Sequence, residues 1–195
     1  MTYDYIICSD GNAEYGIIRG SERIVFVKVG LGGDQFGYEN KYLILAHKLH
    51  DKFGCSVIVA SNPHDGKSHV ERDRTVIKQF IIDNNITETE LFFFGSSNGG
   101  IKGLELSYSG IFFTKMILVN MPLMINFHKT KQYISGARKT DFLLIYGERD
   151  PSFNYVPFIE GKYGNLKVEI VPKADHNFTG LLDKFIDYGE RLFIK

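Results

Sequence analysis

The sequence of 195 residues has no excess charge of either sign, only two cysteines and no long apolar stretch. Its 23 basic and 23 acidic residues cancel, so no whole-molecule field draws the chain to nucleic acid or to an anionic membrane. No apolar run approaches the roughly 18 residues that a bilayer-spanning helix needs. Cys8 and Cys55 lie in apolar, strand-like runs, where a free buried cysteine behaves as a small hydrophobe. We therefore expect no nucleic-acid partner, no membrane partner and no disulfide.

The first residues lack the features of a secretory signal. Met1-Thr2-Tyr3-Asp4-Tyr5 has neither a basic flank nor the start of an uninterrupted apolar run, so the sequence predicts a cytoplasmic protein. A chain of this length buries roughly 70% of its unfolded surface and needs no disulfide crosslinks. We expect a single domain over residues 1–195.

The most informative stretch is 91–100, where an apolar run leads through a glycine-flanked serine into a helical pattern. Gly95-Ser96-Ser97-Asn98-Gly99 fits the pattern G-x-S-x-G. The two glycines remove Cβ atoms that would clash in a sharp strand-to-helix turn, so Ser97 can adopt a strained conformation with its hydroxyl exposed. The dipole of the following helix favours negative charge beside that hydroxyl. The pattern predicts a nucleophile, and its alternative interpretation is an ordinary glycine-rich turn.

A serine nucleophile needs a base, and the base needs a group that orients it. Both residue types follow strand patterns further along the chain. The apolar run 142–146 leads to Asp150, and the run 167–171 leads to His176. Because Asp150 precedes a proline and also suits the start of a turn, Glu148 is the alternative acid. The order along the chain is serine, aspartate, histidine.

Strand patterns alternate with helical patterns. Residues 3–8 and 14–19, separated by the turn signal Asp10-Gly11-Asn12, predict an antiparallel hairpin at a sheet edge. Alternating β and α patterns imply right-handed βαβ units, so we expect a three-layer α/β/α sandwich with a mostly parallel sheet. The expected helices include one over 38–53, ended by Gly54, and one that begins at the capping box Ser68-x-x-Glu71. A third follows Ser97, with Ile101, Leu104 and Tyr108 expected on its inner face.

These motifs closely resemble the α/β-hydrolase superfamily, specifically its small members without a large lid, over nearly the whole chain. The resemblance implies that Ser97 is the nucleophile, Asp150 the acid after the seventh strand and His176 the base after the eighth. Some hydrolases carry their acid at the end of the sixth strand, but the sequence has Asn120 there, which favours Asp150.

A glycine-rich segment is similar to the oxyanion loop that follows the third strand in this superfamily. It reads Val29-Gly30-Leu31-Gly32-Gly33-Asp34, with valine where the family often has histidine. By analogy, the backbone N–H groups of Leu31 and Asn98 are the oxyanion donors. We expect the residues that contact substrate to be Gly30, Gly32, His64, Met121 and Leu123.

The segment 121–140 has two interpretations. Its apolar start and basic end suit a short flap over Ser97 that supplies an acyl-binding wall, or a helix with one core face and one solvated basic face. The histidines of 47–50 and 64–69 are interpreted as polar surface or loop positions rather than metal ligands, so no metal is expected.

Together the residues predict acyl transfer to water without a cofactor. The expected substrate is a carboxylic ester or thioester of a small soluble molecule, cleaved through an acyl-enzyme on Ser97 by a monomer or homodimer. The alternatives are a peptidase or an acyltransferase with the same triad, and a non-catalytic binding or scaffold protein of the same fold.

Overall fold

The computed structural model describes residues 1–8, 13–125 and 127–194, so the predicted turn at 10–12 lies outside the described residues. Within these ranges the strands are β1 (Tyr5–Cys8), β2 (Glu14–Ile18), β3 (Ser21–Lys28), β4 (Cys55–Ala60), β5 (Leu91–Ser96), β6 (Lys115–Val119), β7 (Asp141–Gly147) and β8 (Leu166–Val171). The helices are α1 (Lys41–Phe53), α2 (Val70–Asp83), α3 (Asn98–Tyr108), α4 (Phe127–Gly136) and α5 (Leu182–Glu190). Two 3₁₀ segments, Tyr38–Asn40 and Pro151–Phe158, precede α1 and follow β7.

The strands form one sheet in the order β1-β2-β4-β3-β5-β6-β7-β8. β1 and β2 pair antiparallel at one edge, and β2 joins β4 antiparallel. All further pairs, from β4 to β8 across the sheet, are parallel. The predicted mostly parallel sheet with an N-terminal antiparallel hairpin is confirmed.

The central strands are apolar without interruption because helices cover both faces of the sheet. Along β3, Phe26 points into a core shared with α2, α3 and α4, whereas Val25 and Val27 point into a core shared with α1 and α5. Because β3 to β8 are parallel, their carboxyl ends lie at the same edge of the sheet. The loops that follow these six strands converge there.

Two details of the helices correct the sequence predictions. α2 begins at Val70 with His69 as its N-cap residue and no side-chain capping bond, so the predicted capping box from Ser68 is wrong. Glu71 instead pairs with Arg74 on the surface of the helix. Tyr108, predicted on the inner face of α3, is instead 61% exposed at the last position of the helix, with its ring 4.9 Å from that of Tyr133 of α4 between centroids.

The segment 121–140 contains α4, which packs against α3. Thr130 and Ile134 are buried on its inner side, whereas His128 and Lys129 are exposed. None of the helices in the described ranges is long and apolar enough to cross a membrane.

A charged pair lies inside the core between β3 and α2. Lys28 and Asp73 are both fully buried, and Lys28 Nζ lies 3.0 Å from Oδ1 and 2.9 Å from Oδ2 of Asp73. The Tyr15 hydroxyl donates to the same Oδ1 at 3.0 Å. Burial lowers the pKa of Lys28 and raises the pKa of Asp73, and the attraction between the two charges opposes both shifts. The pair fixes α2 to the strand that leads into the oxyanion loop.

Candidate active site

Ser97 sits at the sharp turn between β5 and α3 in a conformation that few residues adopt. Its φ is 52° and its ψ is −128°, as expected for a strained elbow. A Cβ on Gly95 would lie 2.8 Å from the Gly100 Cα, and a Cβ on Gly99 would lie 2.2 Å from the Lys28 carbonyl oxygen. Both glycines are therefore required by close backbone approach, as the motif predicts.

The structure brings Ser97, His176 and Asp150 together from the ends of three strands. Ser97 Oγ lies 2.9 Å from His176 Nε2, and His176 Nδ1 lies 2.5 Å from Asp150 Oδ2. Because a carboxylate oxygen accepts, Nδ1 carries the hydrogen and Nε2 is left to accept from the serine hydroxyl. The Asp150 side chain is 1% exposed and that of His176 is 42% exposed, so the acid is enclosed and the imidazole is open to solvent.

Backbone geometry holds Asp150 in place. Its Oδ1 accepts from the Ser152 N–H at 2.7 Å, which caps the 3₁₀ segment that starts at Pro151. Glu148, the alternative acid, is exposed and its carboxylate accepts from the Lys173 N–H at 2.8 Å. Asp150 is therefore the carboxylate that contacts the imidazole.

Asn120, which the sequence marked only as a missing acid, ties the histidine loop to the sheet. Its Nδ2 donates to the carbonyl oxygens of Asp175 at 3.1 Å and of His176 at 2.9 Å. Its Oδ1 accepts from the Gly147 N–H at 2.8 Å. The residue is fully buried, with a φ of 48°. Sequence reasoning missed this role because the three partners lie far away along the chain.

Asp175 shapes the loop after the histidine. Its Oδ1 accepts from the backbone N–H groups of Thr179 at 2.9 Å and of Asn177 at 3.0 Å. These hydrogen bonds, led by the one from Thr179, lower the pKa of Asp175. The carboxylate therefore stabilises the backbone of its own loop.

The predicted oxyanion loop is a tight turn beside the serine. Gly33 N–H donates to the Gly30 carbonyl at 3.0 Å, and Gly32 has a φ of 77°, as a glycine at this turn position allows. A Cβ on Gly30 would lie 3.3 Å from the Ser97 Cβ, so the turn packs directly against the elbow. Leu31, at the corner of the turn, is 53% exposed.

Both N–H groups that the sequence named as oxyanion donors are left out of the local hydrogen bonding. The turn closes through Gly33 and does not use the N–H of Leu31. Asn98 is the first residue of α3, where a helix has no internal partner for the N–H. Among the described residues, neither group has a backbone partner.

Asn62, at the exit of β4, is a second residue that the sequence did not single out. It is 2% exposed and makes hydrogen bonds both to the oxyanion loop and to Asn98. His64, the residue of the same segment that is predicted to contact substrate, is exposed. A buried asparagine two residues from an exposed histidine has no signal in a single sequence.

Two predicted substrate contacts are corrected by burial. Met121 and Leu123 are both 0% exposed, so neither offers surface to a substrate. Met121 packs against α3, where a Cβ on Gly100 would lie 3.0 Å from the Met121 Cβ. The exposed apolar residues of this loop are Met124 and Ile125, at 38% and 50%. A short apolar run without periodicity does not reveal which of its residues point inward.

Exposed apolar residues occur in two segments near Asp150, the loop that follows β6 and the 3₁₀ segment that starts at Pro151. They are Met124, Ile125, Tyr155 and Phe158. The sulfur of Met124 lies 3.5 Å from the Ser152 Oγ, next to Asp150, and the Tyr155 and Phe158 rings lie 6.3 Å apart between centroids. We call these four residues the apolar strip.

Residues 64–69, considered as metal ligands and rejected, form a polar loop with its own partners. His69 Nε2 lies 3.0 Å from Asp65 Oδ1, and its Nδ1 lies 3.1 Å from Arg72 Nη1. In the part of the chain that the structure describes, no three histidine, cysteine or acidic side chains are placed to hold a metal ion.

No protein-family model and no curated protein sequence matches the chain. Several solved structures, however, are similar to nearly the whole chain. Est1E from Butyrivibrio proteoclasticus is 14% identical with a TM-score of 0.72, and the similarity covers 97% of both chains. Dienelactone hydrolase from Anabaena variabilis is 16% identical with a TM-score of 0.72, covering 97% of this chain and 96% of that one. An α/β serine hydrolase without lid from Xanthomonas campestris is 15% identical with a TM-score of 0.69, covering 99% of this chain and 96% of that one. The chain thus has the α/β-hydrolase fold.

Proposed function

We propose that this protein is a serine hydrolase that cleaves a carboxylic ester or thioester of a small soluble substrate through an acyl-enzyme on Ser97. The observation that carries the proposal is the continuous chain of contacts from Asp150 through His176 to Ser97, with the serine at a strained elbow. Strain of this kind persists where the surrounding structure enforces it, and it is concentrated at functional sites.

The proposed reaction begins when Ser97 Oγ attacks the substrate carbonyl carbon. His176 Nε2 takes the hydroxyl proton, and Asp150 keeps the other ring hydrogen on Nδ1 and stabilises the imidazolium that forms. The tetrahedral intermediate carries an oxyanion, for which the N–H groups of Leu31 and Asn98 are the proposed donors. His176 then gives its proton to the leaving alcohol or thiol. Water, activated by the same imidazole, hydrolyses the acyl-enzyme and releases the acid.

The electrostatics of the elbow support this role for the serine. α3 starts at Asn98, directly after Ser97, and runs for 11 residues, so the positive end of its dipole lies at the position of the developing negative charge. Asp150 is enclosed while His176 remains open, which protects the orienting bond and leaves the reacting nitrogen accessible.

The surroundings of the site support a small substrate with an apolar part. The imidazole is open to solvent, which suits a molecule that reaches the site directly from water. We propose that the apolar strip takes the apolar portion of the acyl or alcohol group, in place of the buried Met121 and Leu123. Est1E, one of the similar structures, has been solved with ferulic acid, an aromatic acid, bound. Aromatic esters therefore belong in the substrate panel beside alkyl esters.

Hydrolysis of a p-nitrophenyl ester series, from acetate to long acyl chains and including an aromatic acid, tests the proposal against Ser97→Ala. We expect turnover with an optimum in acyl size, and a loss on the order of 10⁶-fold, to assay background, in Ser97→Ala. Ser135→Ala, an exposed serine on α4, is the matched control and should keep full activity. A Ser97→Ala protein that retained esterase activity would exclude the mechanism.

Labelling with a fluorophosphonate separates the alternatives. A serine hydrolase should be labelled stoichiometrically on Ser97 and not on the neighbouring Ser96, as mapped by mass spectrometry. A binding or scaffold protein should give neither turnover nor label. Peptidases and acyltransferases use the same triad, and the fold does not distinguish them from esterases. The substrate panel therefore also includes peptide amides, which test for a peptidase, and added alcohol acceptors, which test for an acyltransferase.

A further inference from the structure

The part of the oxyanion loop beside Ser97, residues 29–33, has no polar side chain, and Asp34 at its end binds the N–H groups of Phe36 and Gly37 that follow it. Residues 29–33 read Val-Gly-Leu-Gly-Gly, and Val29 is fully buried in the apolar core. Three glycines in five residues leave the backbone free to adopt many conformations. A loop of this composition has to be held from outside if its N–H groups are to stay aimed at one point in space.

Asn62 supplies that support through four hydrogen bonds. Its backbone accepts from the Gly32 N–H at 2.7 Å and donates to the Gly33 carbonyl at 2.9 Å. Its side-chain Nδ2 donates to the Val29 carbonyl at 3.1 Å and to Asn98 Oδ1 at 3.1 Å. The three bonds to the loop contact residues on both sides of Leu31. The fourth binds the side chain of Asn98, the residue that follows Ser97.

The orientation of the amide follows from its partners. The Val29 carbonyl oxygen can only accept, so the atom of Asn62 that faces it is the nitrogen. The same nitrogen faces Asn98, which must therefore present its oxygen. One NH₂ group thus connects the two backbone segments that carry the proposed oxyanion donors.

The residue before Asn62 is fixed to the core. Lys28 Nζ, held by the buried Asp73, donates to the Ser61 carbonyl at 2.8 Å. Ser61 also pairs with Glu14 through its N–H at 2.8 Å and its Oγ at 2.7 Å. Asn62 is consequently fixed relative to the sheet, and its hydrogen bonds fix the oxyanion loop relative to the sheet as well.

We propose that Asn62 is a positioning residue that sets the distance between the N–H groups of Leu31 and Asn98. The inference rests on the proposed hydrolase function. A residue that acts through the oxyanion donors affects the transition state more than the bound substrate, so its loss lowers kcat and leaves KM nearly unchanged. Removing one oxyanion donor costs about 10²–10³ in rate, and loosening two donors costs less.

Asn62→Ala and Asn62→Asp test the proposal in steady-state ester hydrolysis. Asn62→Ala should lower kcat by about 10- to 10²-fold with KM within about twofold. Asn62→Asp should be worse, because its carboxylate would face two oxygen acceptors. Binding of a trifluoromethyl ketone, which forms a tetrahedral adduct with the serine, should weaken in parallel with kcat/KM.

Asn165→Ala is the matched control. Asn165 Nδ2 also donates to two backbone carbonyls, those of Ala137 at 3.1 Å and Thr140 at 2.8 Å, at the opposite end of the sheet. The control should lower the melting temperature and leave kcat unchanged. A loss of kcat in Asn165→Ala equal to that in Asn62→Ala would reduce the role of Asn62 to general stability and overturn the proposal.

Asn98→Ala is the second variant, in case substitution of the buried Asn62 prevents folding. It removes the acceptor at a half-buried position and keeps the backbone N–H. We expect a several-fold fall in kcat, and an Asn62→Ala/Asn98→Ala double variant less impaired than the product of the single effects, because both remove one shared bond. Unchanged kcat in the single variants, or a raised KM with normal kcat, would overturn the positioning role.

Hydrogen exchange separates this inference from the proposed function. Asn62→Ala should speed amide exchange at Gly32 and Gly33 whether or not the protein hydrolyses esters. If the wild-type protein is neither active nor labelled by a fluorophosphonate, the hydrolase proposal fails while the exchange result stands. If the wild-type protein is active and neither kcat nor exchange responds to Asn62→Ala, the positioning inference alone fails.

Discussion

At the residue scale, the two loops that meet at Ser97 are each held by a buried asparagine. Asn62 bonds the oxyanion loop, and Asn120 bonds the backbone around His176. A carboxamide suits both places because it carries a donor and an acceptor without charge, and a buried charge would need a partner. The oxyanion loop and the loop that carries His176 are thus both held by neutral side chains.

Asn120→Asp should lower the proposed hydrolase activity by displacing His176, the proposed base. The new carboxylate would face the carbonyl oxygens of Asp175 and His176, which now accept from Nδ2. We expect kcat to fall by about 10² if the imidazole moves by about 1 Å. The measurement is kcat for a p-nitrophenyl ester together with the rate of fluorophosphonate labelling.

The double variant Asn120→Asp/Asp150→Asn tests whether a carboxylate at position 120 can replace the one at position 150. We expect no recovery, because the Asn120 side chain points to the backbone of the histidine loop while Nδ1 points to Asp150. Recovery of activity in Asn120→Asp/Asp150→Asn would show that the imidazole can turn to the sixth strand, contrary to the geometry described above.

At the element scale, α3 and α2 are fixed to β3 in different ways. α3 approaches the strand so closely that a Cβ on Gly99 would lie 2.2 Å from the Lys28 carbonyl oxygen. α2 is held by the ion pair between Asp73 and Lys28, inside the same core. β3 is therefore the element against which the elbow, the oxyanion loop and the β4 exit are all aligned.

Lys28→Met should destabilise the fold strongly. It leaves the Asp73 carboxylate buried without its cation, with the Tyr15 hydroxyl as hydrogen-bond donor, and breaking a buried pair in this way costs about 3–5 kcal/mol. The double variant Lys28→Met/Asp73→Leu removes both charges and should recover most of that loss. Urea unfolding of the wild type, both single variants and the double variant gives the coupling energy.

The destabilisation in Lys28→Met should depend on pH. Burial already raises the pKa of Asp73, and loss of the cation raises it further. A group with a raised pKa in the folded state stabilises at low pH and loses that contribution as the pH rises through its folded pKa. We therefore expect Lys28→Met to lie closer to wild-type stability at pH 5 than at pH 8. An equal deficit at both pH values would contradict a charged, unpaired Asp73 in the variant.

At the scale of the whole molecule, one sheet separates two apolar cores. The core with α1 and α5 and the core with α2, α3 and α4 share every central strand, since neighbouring residues of a strand point to opposite sides. The same central strands form part of both cores. Loss of packing in either core therefore exposes strands that the other core also needs. We propose on this basis that residues 1–195 behave as a single domain.

A single domain should unfold in one cooperative step. Far-ultraviolet circular dichroism reports the helices, and tyrosine fluorescence reports the packing in a chain that has 11 tyrosines and no tryptophan. We expect coincident midpoints for both signals in urea and on heating. Hydrogen exchange checks the segment 121–140: amides of α4 that open well before those of α3 would mark it as a separately mobile flap.

The sequence by itself determined the order of strands and helices and the three residues that meet at the site. Local patterns carry this information: apolar runs define covered strands, and glycines around Ser97 permit a turn that other residues would block. The parallel sheet then places Ser97, Asp150 and His176 at the same edge, because each follows the carboxyl end of a strand.

Only the tertiary structure decided which neighbours of these residues support them. Asn62 and Asn120 act on partners 27 to 56 residues away along the chain, and no local pattern encodes such a distance. The same holds for the burial of Met121 and for the pairing of Lys28 with Asp73, which depend on packing between separate elements. A sequence shows what a residue does to its own backbone, whereas a hydrogen bond across the fold exists only once the sheet has brought its two ends together.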